Sequence, residues 1–424
     1  MASDIHPTIE AVWRIESARL IARLARLVRD VGLAEELAQD ALVAALEQWP
    51  ASRVPENPGA WLMAAAKNRA IDLIRREKMA KRKHQELARG NEIDHDANAL
   101  LADAAIDNPV NDDMLRLIFT ACHPVLSAEA RTALTLRLVG GLTTDEIARA
   151  FLVPEPTIAQ RIVRAKKTLA HEKVGFQMPP PSELTQRLAS VLEVIYLVFN
   201  EGYTATAGQD WMRPELCEDA LRLGRMVAEL MPADSETHGL VALMEIQASR
   251  MKARIDANGQ PILLLQQNRG RWDRLLIGRG LAALARAQSI AGAAGPYQLQ
   301  AAIAACHARA RNPAETDWTL IAKLYAQLAE VMPSPVVELN RAVAVGMAQG
   351  AQAGLDIVER LIQEGKLEGY HLLPSVRGDL LEKLHRHAEA AAEFEKAARS
   401  TRNAREQKLL LERARVCKES LKNK

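Results

Sequence analysis

Aromatic residues and cysteines are both scarce in this chain: aromatics make up 4% of its 424 residues, and there are four cysteines. A chain that is 48% hydrophobic but poor in aromatics and rich in alanine favours close-packed helices over a large sheet. The cysteines are widely spaced and form no CxxC pair, which argues against a disulfide framework or a zinc site and fits reduced thiols. They are Cys122, Cys217, Cys306 and Cys417.

Signals for export or membrane insertion are also missing. The N-terminus lacks the basic-then-apolar pattern of a signal peptide. No segment approaches the ~20 apolar residues that a membrane-spanning helix needs, and the longest apolar run, 191–199, is interrupted by Glu193. We therefore expect a soluble, cytoplasmic protein without a membrane partner.

Catalytic and metal-binding patterns are absent from the sequence as well. There is no Walker motif and no G-x-G-x-x-G after a strand. His385 and His387 form an HxH pair, but on a helix two such rings point about 200° apart, which favours a surface pair. Cys122-His123 has no base or orienting acid nearby in sequence, which favours a packing role. We expect no enzymatic activity, no metal and no cofactor.

Charge is balanced overall but unevenly placed, with a formal net charge of +2. Residues 67–89 contain nine Lys or Arg against three Asp or Glu, whereas residues 91–115 contain seven acids and no Lys or Arg. This asymmetry indicates a basic patch that binds a partner, followed by an acidic linker at 91–111.

The N-terminal part, 1–90, has the pattern of three helices. The first spans about 9–30 and the second 34–49, and a loop at 50–56 separates the second from a third helix that Asn57 caps. On the second helix the small and apolar side chains pack inward, namely Leu37, Ala41, Ala44 and Ala45. Four polar side chains are expected to face outward: Glu35, Glu36, Gln39 and Asp40.

A second helical module spans 112–175 and ends in a helix-turn-helix at 142–170. Thr143 or Thr144 can cap its first helix, and Pro154 and Pro156 separate the two helices. On the second helix, one face is apolar: Ile158, Ile162, Ala165 and Leu169. The other face carries Thr157, Gln160, Arg161, Arg164 and Thr168, which suits a major groove, and Lys166 and Lys167 suit phosphate. Taken alone, the motif is also compatible with a surface hairpin with solvated charge.

The C-terminal half follows a proline-rich break at 178–181. A mainly helical middle module spans 183–290, where Asn258-Gly259 between short apolar pieces predicts a small β-hairpin near 254–263. Two polar-aromatic clusters, 200–203 and 268–273, have no assigned role, and we expect them to line the seam between this module and the next. An enzyme fused to a DNA-binding head would instead need a polar pocket near 200–203.

Residues 291–424 contain recurring helix pairs with small and large residues at tetratricopeptide (TPR) offsets. The best copy has Gly378, Leu381, Ala390, Phe394 and Ala397. Earlier copies have Ala342, Val345, Gly354, Val358 and Leu361, then Ile321, Tyr325 and Leu328. The period is near the ~34 residues of TPR units. This predicts two to three TPR-like units with 405–421 as a capping helix, and a generic helical bundle stays open for the earlier copies.

The order of these modules closely resembles that of extracytoplasmic-function (ECF) sigma factors of bacterial RNA polymerase. The segments that carry the resemblance are AEELAQDALVAALEQW at 34–49, NPGAWLMAAAKNRAIDLIRREK at 57–78 and the module at 112–170. The remainder resembles the subgroup with a long TPR-like C-terminal extension. The resemblance implies an all-α fold: region 2 at 1–90, the linker, region 4 at 112–175, and a helical extension.

The resemblance also implies roles for specific residues. Region 2 would contact the clamp helices of the largest polymerase subunit through Glu35, Glu36, Gln39 and Asp40. A loop matching the site that holds a flipped base of the −10 element offers Ser52, Arg53 and Asn57. The helix that faces the −10 duplex offers Lys67, Asn68, Arg69, Asp72, Arg75 and Arg76. In region 4 the −35 readers would be Thr157, Gln160, Arg161 and Arg164, with Lys166 and Lys167 on the backbone.

The implied function is binding of core RNA polymerase, including its flap region, and promoter-specific initiation on promoter DNA. We expect the TPR-like extension to regulate this activity in cis and to bind a protein or peptide segment. The alternative is a non-sigma transcriptional regulator or TPR scaffold with a helix-turn-helix module, which would not bind polymerase and direct initiation by itself.

Overall fold

The computed structural model describes residues 5–85, 110–151, 153–205, 207–208 and 211–422. Within these residues the chain is almost entirely helical, as the sequence predicts. Its helices are α1 (His6–Val28), α2 (Val31–Ser52), α3 (Pro58–Gln85), α4 (Val110–Ala121), α5 (Ala128–Leu138), α6 (Thr144–Phe151), α7 (Glu155–His171), α8 (Pro181–Tyr203), α9 (Pro214–Leu230), α10 (Ser235–Ala248), α11 (Arg274–Ser289), α12 (Pro296–Arg309), α13 (Trp318–Val331), α14 (Pro335–Gln349), α15 (Ala351–Gln363), α16 (Leu372–Lys383), α17 (His387–Ser400) and α18 (Ala404–Lys422).

Two compact units divide the chain, at 1–194 and 195–424. In the first unit, α1 packs against α2, α3 and α4. Its core includes Leu24, Leu37, Trp49 and Leu62, each no more than 1% exposed. The expected inward packing of α2 is confirmed, since Leu37, Ala41, Ala44 and Ala45 are all buried. The predicted acidic linker at 91–111 lies almost wholly outside the described residues.

The loop predicted at 50–56 is shorter than the sequence indicates. Helix α2 continues to Ser52 with Pro50 inside its last turn, and the Arg53 amide donates to the carbonyl of Trp49 at 2.8 Å. Pro50 removes one helical hydrogen bond, but the buried indole of Trp49 anchors this turn to the core. The helix ends at Arg53, which has a φ of +70°.

The helix-turn-helix forms at α6 and α7. The Thr143 hydroxyl accepts from the Glu146 amide at 3.1 Å, and the Glu146 carboxylate accepts from the Thr143 amide at 2.7 Å. This reciprocal pair is a capping box, so Thr143 rather than Thr144 is the cap. The predicted apolar stripe of α7 is buried: Ile158, Ile162, Ala165 and Leu169.

The second unit is a succession of helix pairs, with consecutive helices from α9 to α18 in contact. The small residues of the TPR-like pattern lie where helices approach closely. A Cβ at Gly378 would lie 2.8 Å from Phe394 Cε1, and one at Gly354 would lie 2.5 Å from the carbonyl oxygen of Ala342. The capping helix expected at 405–421 is α18.

A pair of two-residue strands that the sequence did not predict joins the last helix to an early part of this unit. Strand β1 (Ala207–Gly208) pairs in parallel with β2 (Arg402–Asn403). The buried Asn403 side chain also donates to the carbonyl of Ala205 at 3.1 Å. The chain just before α18 therefore returns to the segment that follows α8.

The hairpin predicted near 254–263 is reduced to a single antiparallel bridge between Ile255 and Pro261. Asp256 stabilises the turn, because its carboxylate accepts from the amides of Asn258 and Gln260, both at 2.8 Å. Pro261 has no amide hydrogen to extend the ladder, which explains why no strand forms here.

Candidate polymerase and promoter interface

The polar face predicted on α2 is only partly exposed. Glu36 and Asp40 are exposed and Gln39 is partly exposed, as expected. Glu35 contradicts the expectation, since it is only 3% exposed. Basic side chains of the second helical module bind its carboxylate. The prediction that Glu35 faces outward was therefore wrong.

Glu35 joins α2 to the helix-turn-helix module. Its Oε1 accepts from Arg137 Nε on α5 at 2.7 Å and from Gln39 Nε2 at 2.8 Å. Its Oε2 forms an ion pair with Lys166 Nζ on α7. Arg137 also donates to the carbonyl of Leu142 at 3.2 Å, at the entry to the helix-turn-helix. A predicted polymerase contact and a predicted DNA-backbone contact therefore neutralise each other.

A second ion pair ties the same two modules together. The buried carboxylate of Asp113 on α4 lies 3.5 Å from Arg26 on α1 and accepts from Arg116 at 3.0 Å. Burial raises the pKa of Asp113, although Arg26 and Arg116 oppose the shift. Sequence reasoning missed Arg26, Asp113 and Arg137, because partners about a hundred residues apart leave no local pattern.

The residues predicted to hold a flipped base lie around the end of α2 and the start of α3. Asn57 accepts from the amide of Ala60 at 3.0 Å, so it is the predicted cap of α3. The Ser52 hydroxyl donates to the carbonyl of Gln48 at 2.9 Å. Arg53 is exposed, and its positive φ is a backbone conformation that non-glycine residues rarely adopt. Such strain is often found at functional sites.

The basic helix α3 presents most of its predicted DNA contacts to solvent. Asn68, Asp72 and Arg75 are exposed, and Lys67 and Arg69 are partly exposed. Arg69 Nη1 lies 3.8 Å from Asp40 Oδ2, so the predicted DNA face of α3 and the predicted polymerase face of α2 adjoin. The side chain of Arg76 lies outside the described side chains.

The predicted −35 surface of α7 is largely free. Thr157, Gln160, Arg164 and Lys167 are exposed, and Arg161 is partly exposed. Lys166, held by Glu35, is the exception. Four of the six predicted contacts are thus fully available to a major groove, and they share the face opposite the buried stripe.

Aromatic side chains offer little to a melted strand in this region. Trp49 is 1% exposed and packs edge-on against Trp61 at a ring-centroid distance of 5.3 Å. Trp61 is partly exposed. The edge-on contact with Trp49 gives Trp61 a packing role.

Two further groups of potentially reactive side chains are Cys122, which is buried, and the HxH pair, of which His385 is exposed. The buried thiol of Cys122 lies 3.1 Å from the Thr135 hydroxyl, and burial raises its pKa to about 11. His385 and His387 do not lie on one helix, because His385 occupies the turn before α17 with a φ of +59°. Their ring centroids are therefore 5.8 Å apart rather than on opposite faces. Within the described residues, no group of three or more His, Cys, Asp or Glu could hold a metal ion.

No helix in the described part of the chain is long and apolar enough to span a membrane.

Comparison with protein-family models assigns both modules of the first unit. Residues 15–79 match the model described as Sigma-70 region 2, and residues 116–169 match Sigma-70, region 4. Residues 187–288 match a family of unknown function, DUF6596. No solved structure matches the chain.

Known proteins resemble the chain in two ways. An uncharacterised protein of Rhizobium meliloti (strain 1021) is 44% identical over 90% of this chain and 89% of its own length. The ECF RNA polymerase sigma factor SigK of Mycobacterium bovis (strain BCG / Pasteur 1173P2) is 31% identical over 36% of this chain and 78% of its own length. The probable ECF RNA polymerase sigma factor SigI of Mycobacterium tuberculosis (strain CDC 1551 / Oshkosh) is 26% identical over 41% of this chain and 59% of its own length.

Two sigma-70 modules in the expected order, the exposed polar face of α7 and similarity over most of a curated sigma factor agree with one another. They decide against a non-sigma regulator. The chain belongs to the ECF sigma factors, which bind core RNA polymerase and direct promoter-specific transcription initiation.

Proposed function

We propose that this sigma factor divides its contacts between three surfaces. Glu36, Gln39 and Asp40 on α2 contact the clamp helices of the largest polymerase subunit. Ser52, Arg53 and Asn57, with the basic face of α3, bind the −10 element. Thr157, Gln160, Arg161 and Arg164 read the −35 element, with Lys167 on the backbone and region 4 seated near the polymerase flap. The exposure of these side chains supports the assignment.

The observation that carries the proposal furthest is the ion pairing of Glu35. In the described conformation, Arg137 and Lys166 hold the α2 carboxylate against region 4. In this closed state Glu35 is unavailable to polymerase and Lys166 is unavailable to DNA. Gln39, one of the proposed polymerase contacts, donates to Glu35 at 2.8 Å, so we infer that polymerase binding to α2 breaks these pairs and releases Lys166 to its predicted place on the DNA backbone. Availability of the two surfaces is coupled through one carboxylate.

We propose further that the extension regulates the sigma modules in cis, through a concave TPR-like surface that binds a peptide or protein segment. The support is its size and its helix-pair construction. The first residues of α8 already belong to the sigma unit: Arg187 Nη2 donates to the carbonyl of Phe119 at 2.8 Å, and Arg131 pairs with Glu193 at 3.3 Å. The extension therefore enters through a helix packed on region 4.

Substitution of the −35 reader tests the division of labour. Arg161→Ala should reduce initiation at a cognate promoter about 5- to 150-fold, since a good base contact contributes about 1–3 kcal/mol of discrimination. Polymerase binding should be unchanged. Arg415→Ala, on α18, removes an exposed arginine from the C-terminal extension and serves as the control. Loss of polymerase binding in Arg161→Ala would contradict the assignment.

Truncation tests regulation in cis. A chain ending at Tyr203 keeps Arg187 and Glu193 on the sigma unit. Its transcription from a mapped promoter is compared with that of the full chain at equal polymerase occupancy. Higher activity indicates inhibition by the extension, and lower activity indicates that the extension is required. Equal activity over all promoters would refute regulation in cis.

A further inference from the structure

The two polar-aromatic clusters of the second unit, 200–203 and 268–273, meet at Arg250. Its Cζ lies 5.7 Å from the ring centroid of Tyr203 and 5.8 Å from that of Trp272. Arg269 lies against the same indole, with its Cζ 5.1 Å from the ring centroid. Arg269 Nη1 in turn donates to the carbonyl of His307 at 2.9 Å. We name Arg250, Arg269, Trp272 and His307 the arginine–tryptophan cluster.

Nitrogen atoms without acceptors distinguish this cluster from an ordinary packed core. Arg250 Nε, Arg269 Nε, Trp272 Nε1 and His307 Nδ1 are all buried and have no hydrogen-bond partner among the described residues. The arginine and tryptophan nitrogens can only donate, and the histidine nitrogen can donate in one tautomer. Native proteins leave few buried donors unsatisfied, so four in one place indicate a missing acceptor.

The charge of the cluster points to the nature of that acceptor. Arg269 donates its Nη hydrogens to the carbonyls of His307 and Ala310 and to the Thr316 hydroxyl. Among the described residues, no carboxylate forms an ion pair with it. Glu315 acts on Arg269 electrostatically, but its oxygens accept from the Arg311 amide and the Asn312 side chain. The cluster is therefore positively charged and short of acceptors.

Arg250 is the member that a ligand can reach. Its side chain is partly exposed. Within the described part of the chain its guanidinium makes no hydrogen bond and no ion pair. Arg254 differs, because it donates to the Tyr203 carbonyl and, at 2.8 Å, to the Thr204 hydroxyl while stacking on the Tyr203 ring. Arg254 thus holds Tyr203, against whose ring Arg250 also lies, and Arg250 keeps its donors free.

We propose that the arginine–tryptophan cluster binds the oxyanion group of a small organic acid or phosphate, and that Arg250 makes the principal contact with the bound anion. A planar guanidinium matches carboxylate and phosphate oxygens in a bidentate manner. The ligand is a small molecule rather than a protein. Arg269, Trp272 and His307 are each more than nine-tenths buried, so a broad protein surface could not reach them. The proposal is independent of the regulatory role of the extension.

Isothermal titration of the full chain with sodium succinate and with sodium phosphate, at ionic strength matched with sodium chloride, tests the site. At least one anion should bind saturably at one site, and which one binds distinguishes a carboxylate from a phosphate ligand. Arg250→Ala should weaken that binding tenfold or more, because it removes a charge-assisted bidentate contact. Arg279→Ala removes an exposed arginine on α11, and this variant should bind the anion with the same affinity as the parent. Absence of saturable binding by both anions, or an equal loss in both variants, would overturn the proposal.

Thermal unfolding without ligand separates a binding role from a structural one. Arg250→Met keeps an aliphatic stem between Tyr203 and Trp272 while removing the unsatisfied charge. Its melting temperature should equal or exceed that of the parent, and succinate or phosphate should no longer raise it. A fall of several degrees in the ligand-free variant would show that Arg250 holds the fold. Binding of an acidic peptide where both small anions fail would refute the small-molecule assignment.

Discussion

Arg137→Gln is expected to increase the apparent affinity of the full chain for core polymerase. Arg137 is absent from all three proposed contact surfaces. Its substitution therefore weakens closure, the pairing of Glu35 with region 4, without removing a polymerase or DNA contact. It donates to Glu35 at 2.7 Å, and the two side chains are 21% and 4% exposed. A hydrogen bond to a charged group contributes about 1.5–3 kcal/mol. Because Arg137 is partly exposed, we take about 1.5–2 kcal/mol.

That free energy acts on the ratio of closed to open chain. Since 1.4 kcal/mol is a factor of ten, closure should weaken about 10- to 30-fold. If the closed state predominates, the apparent dissociation constant for polymerase falls by nearly the same factor, because only open chains bind. The measurement is equilibrium binding of labelled full-length chain to core polymerase at fixed salt.

Arg131→Gln is the matched control on the same helix. Arg131 pairs at 3.3 Å with Glu193, a carboxylate that is 52% exposed, and neither residue belongs to the closure. Its affinity for polymerase should equal that of the parent. The double variant Glu35→Gln/Arg137→Gln should show a non-additive effect, since both changes break one pair. Unchanged affinity in a folded Arg137→Gln chain would refute the idea that closure limits polymerase binding.

Three further predictions concern stability. Gly378→Ala should destabilise the second unit by about 1–3 kcal/mol in denaturant unfolding, because the added Cβ would lie 2.8 Å from Phe394 Cε1; Gly278→Ala, with no atom within 4 Å, should instead be neutral or stabilising. Arg53→Gly should raise the melting temperature of the sigma modules by relieving a φ of +70°, and an unchanged or lower value would argue against strain. Burial, with Arg250 and Arg269, lowers the pKa of His307 from 6.5 to about 4. Between those pH values the unfolded chain binds a proton on His307 that the folded chain does not. This residue should therefore lower the free energy of unfolding by about 3 kcal/mol from pH 7 to pH 4. His307→Asn should remove that part of the slope, and an identical slope would refute the assignment.

The sequence was most informative where a pattern is local. The buried stripe of α7, the Asn57 cap of α3 and the small residues facing Phe394 each depend on neighbours within one helix or one helix pair. Periodicity and capping preferences report such contacts directly. For the same reason the all-α fold and the helical character of the N-terminal modules could be predicted, whereas their assignment as sigma regions 2 and 4 came from the resemblance to ECF sigma factors.

Contacts between distant segments were not predictable. Glu35 has the spacing of a solvent-facing residue on α2, and only its meeting with Arg137 on α5 buries it. Likewise, Asn403 bonds to Ala205 across nearly two hundred residues, and no local signal marks either end. Composition at 254–263 suggested a hairpin, but Pro261 limits the ladder to one bridge. Tertiary packing decided the placement of Glu35 and Asn403, whereas Pro261 itself limits the hairpin.

The placement of Glu35 has a consequence for how promoter reading depends on polymerase. A free chain in the closed state keeps Lys166 on Glu35 and leaves Lys167 exposed, so only one of its two proposed phosphate contacts is available. Polymerase binding to α2 would release Lys166 and increase the number of phosphate contacts by one. Since each such contact steepens the salt dependence of DNA binding, polymerase-bound chain should show a steeper slope than free chain on the same −35 DNA. Lys166→Gln should remove most of that difference, and a slope difference that survives the substitution would exclude Lys166 as the released contact.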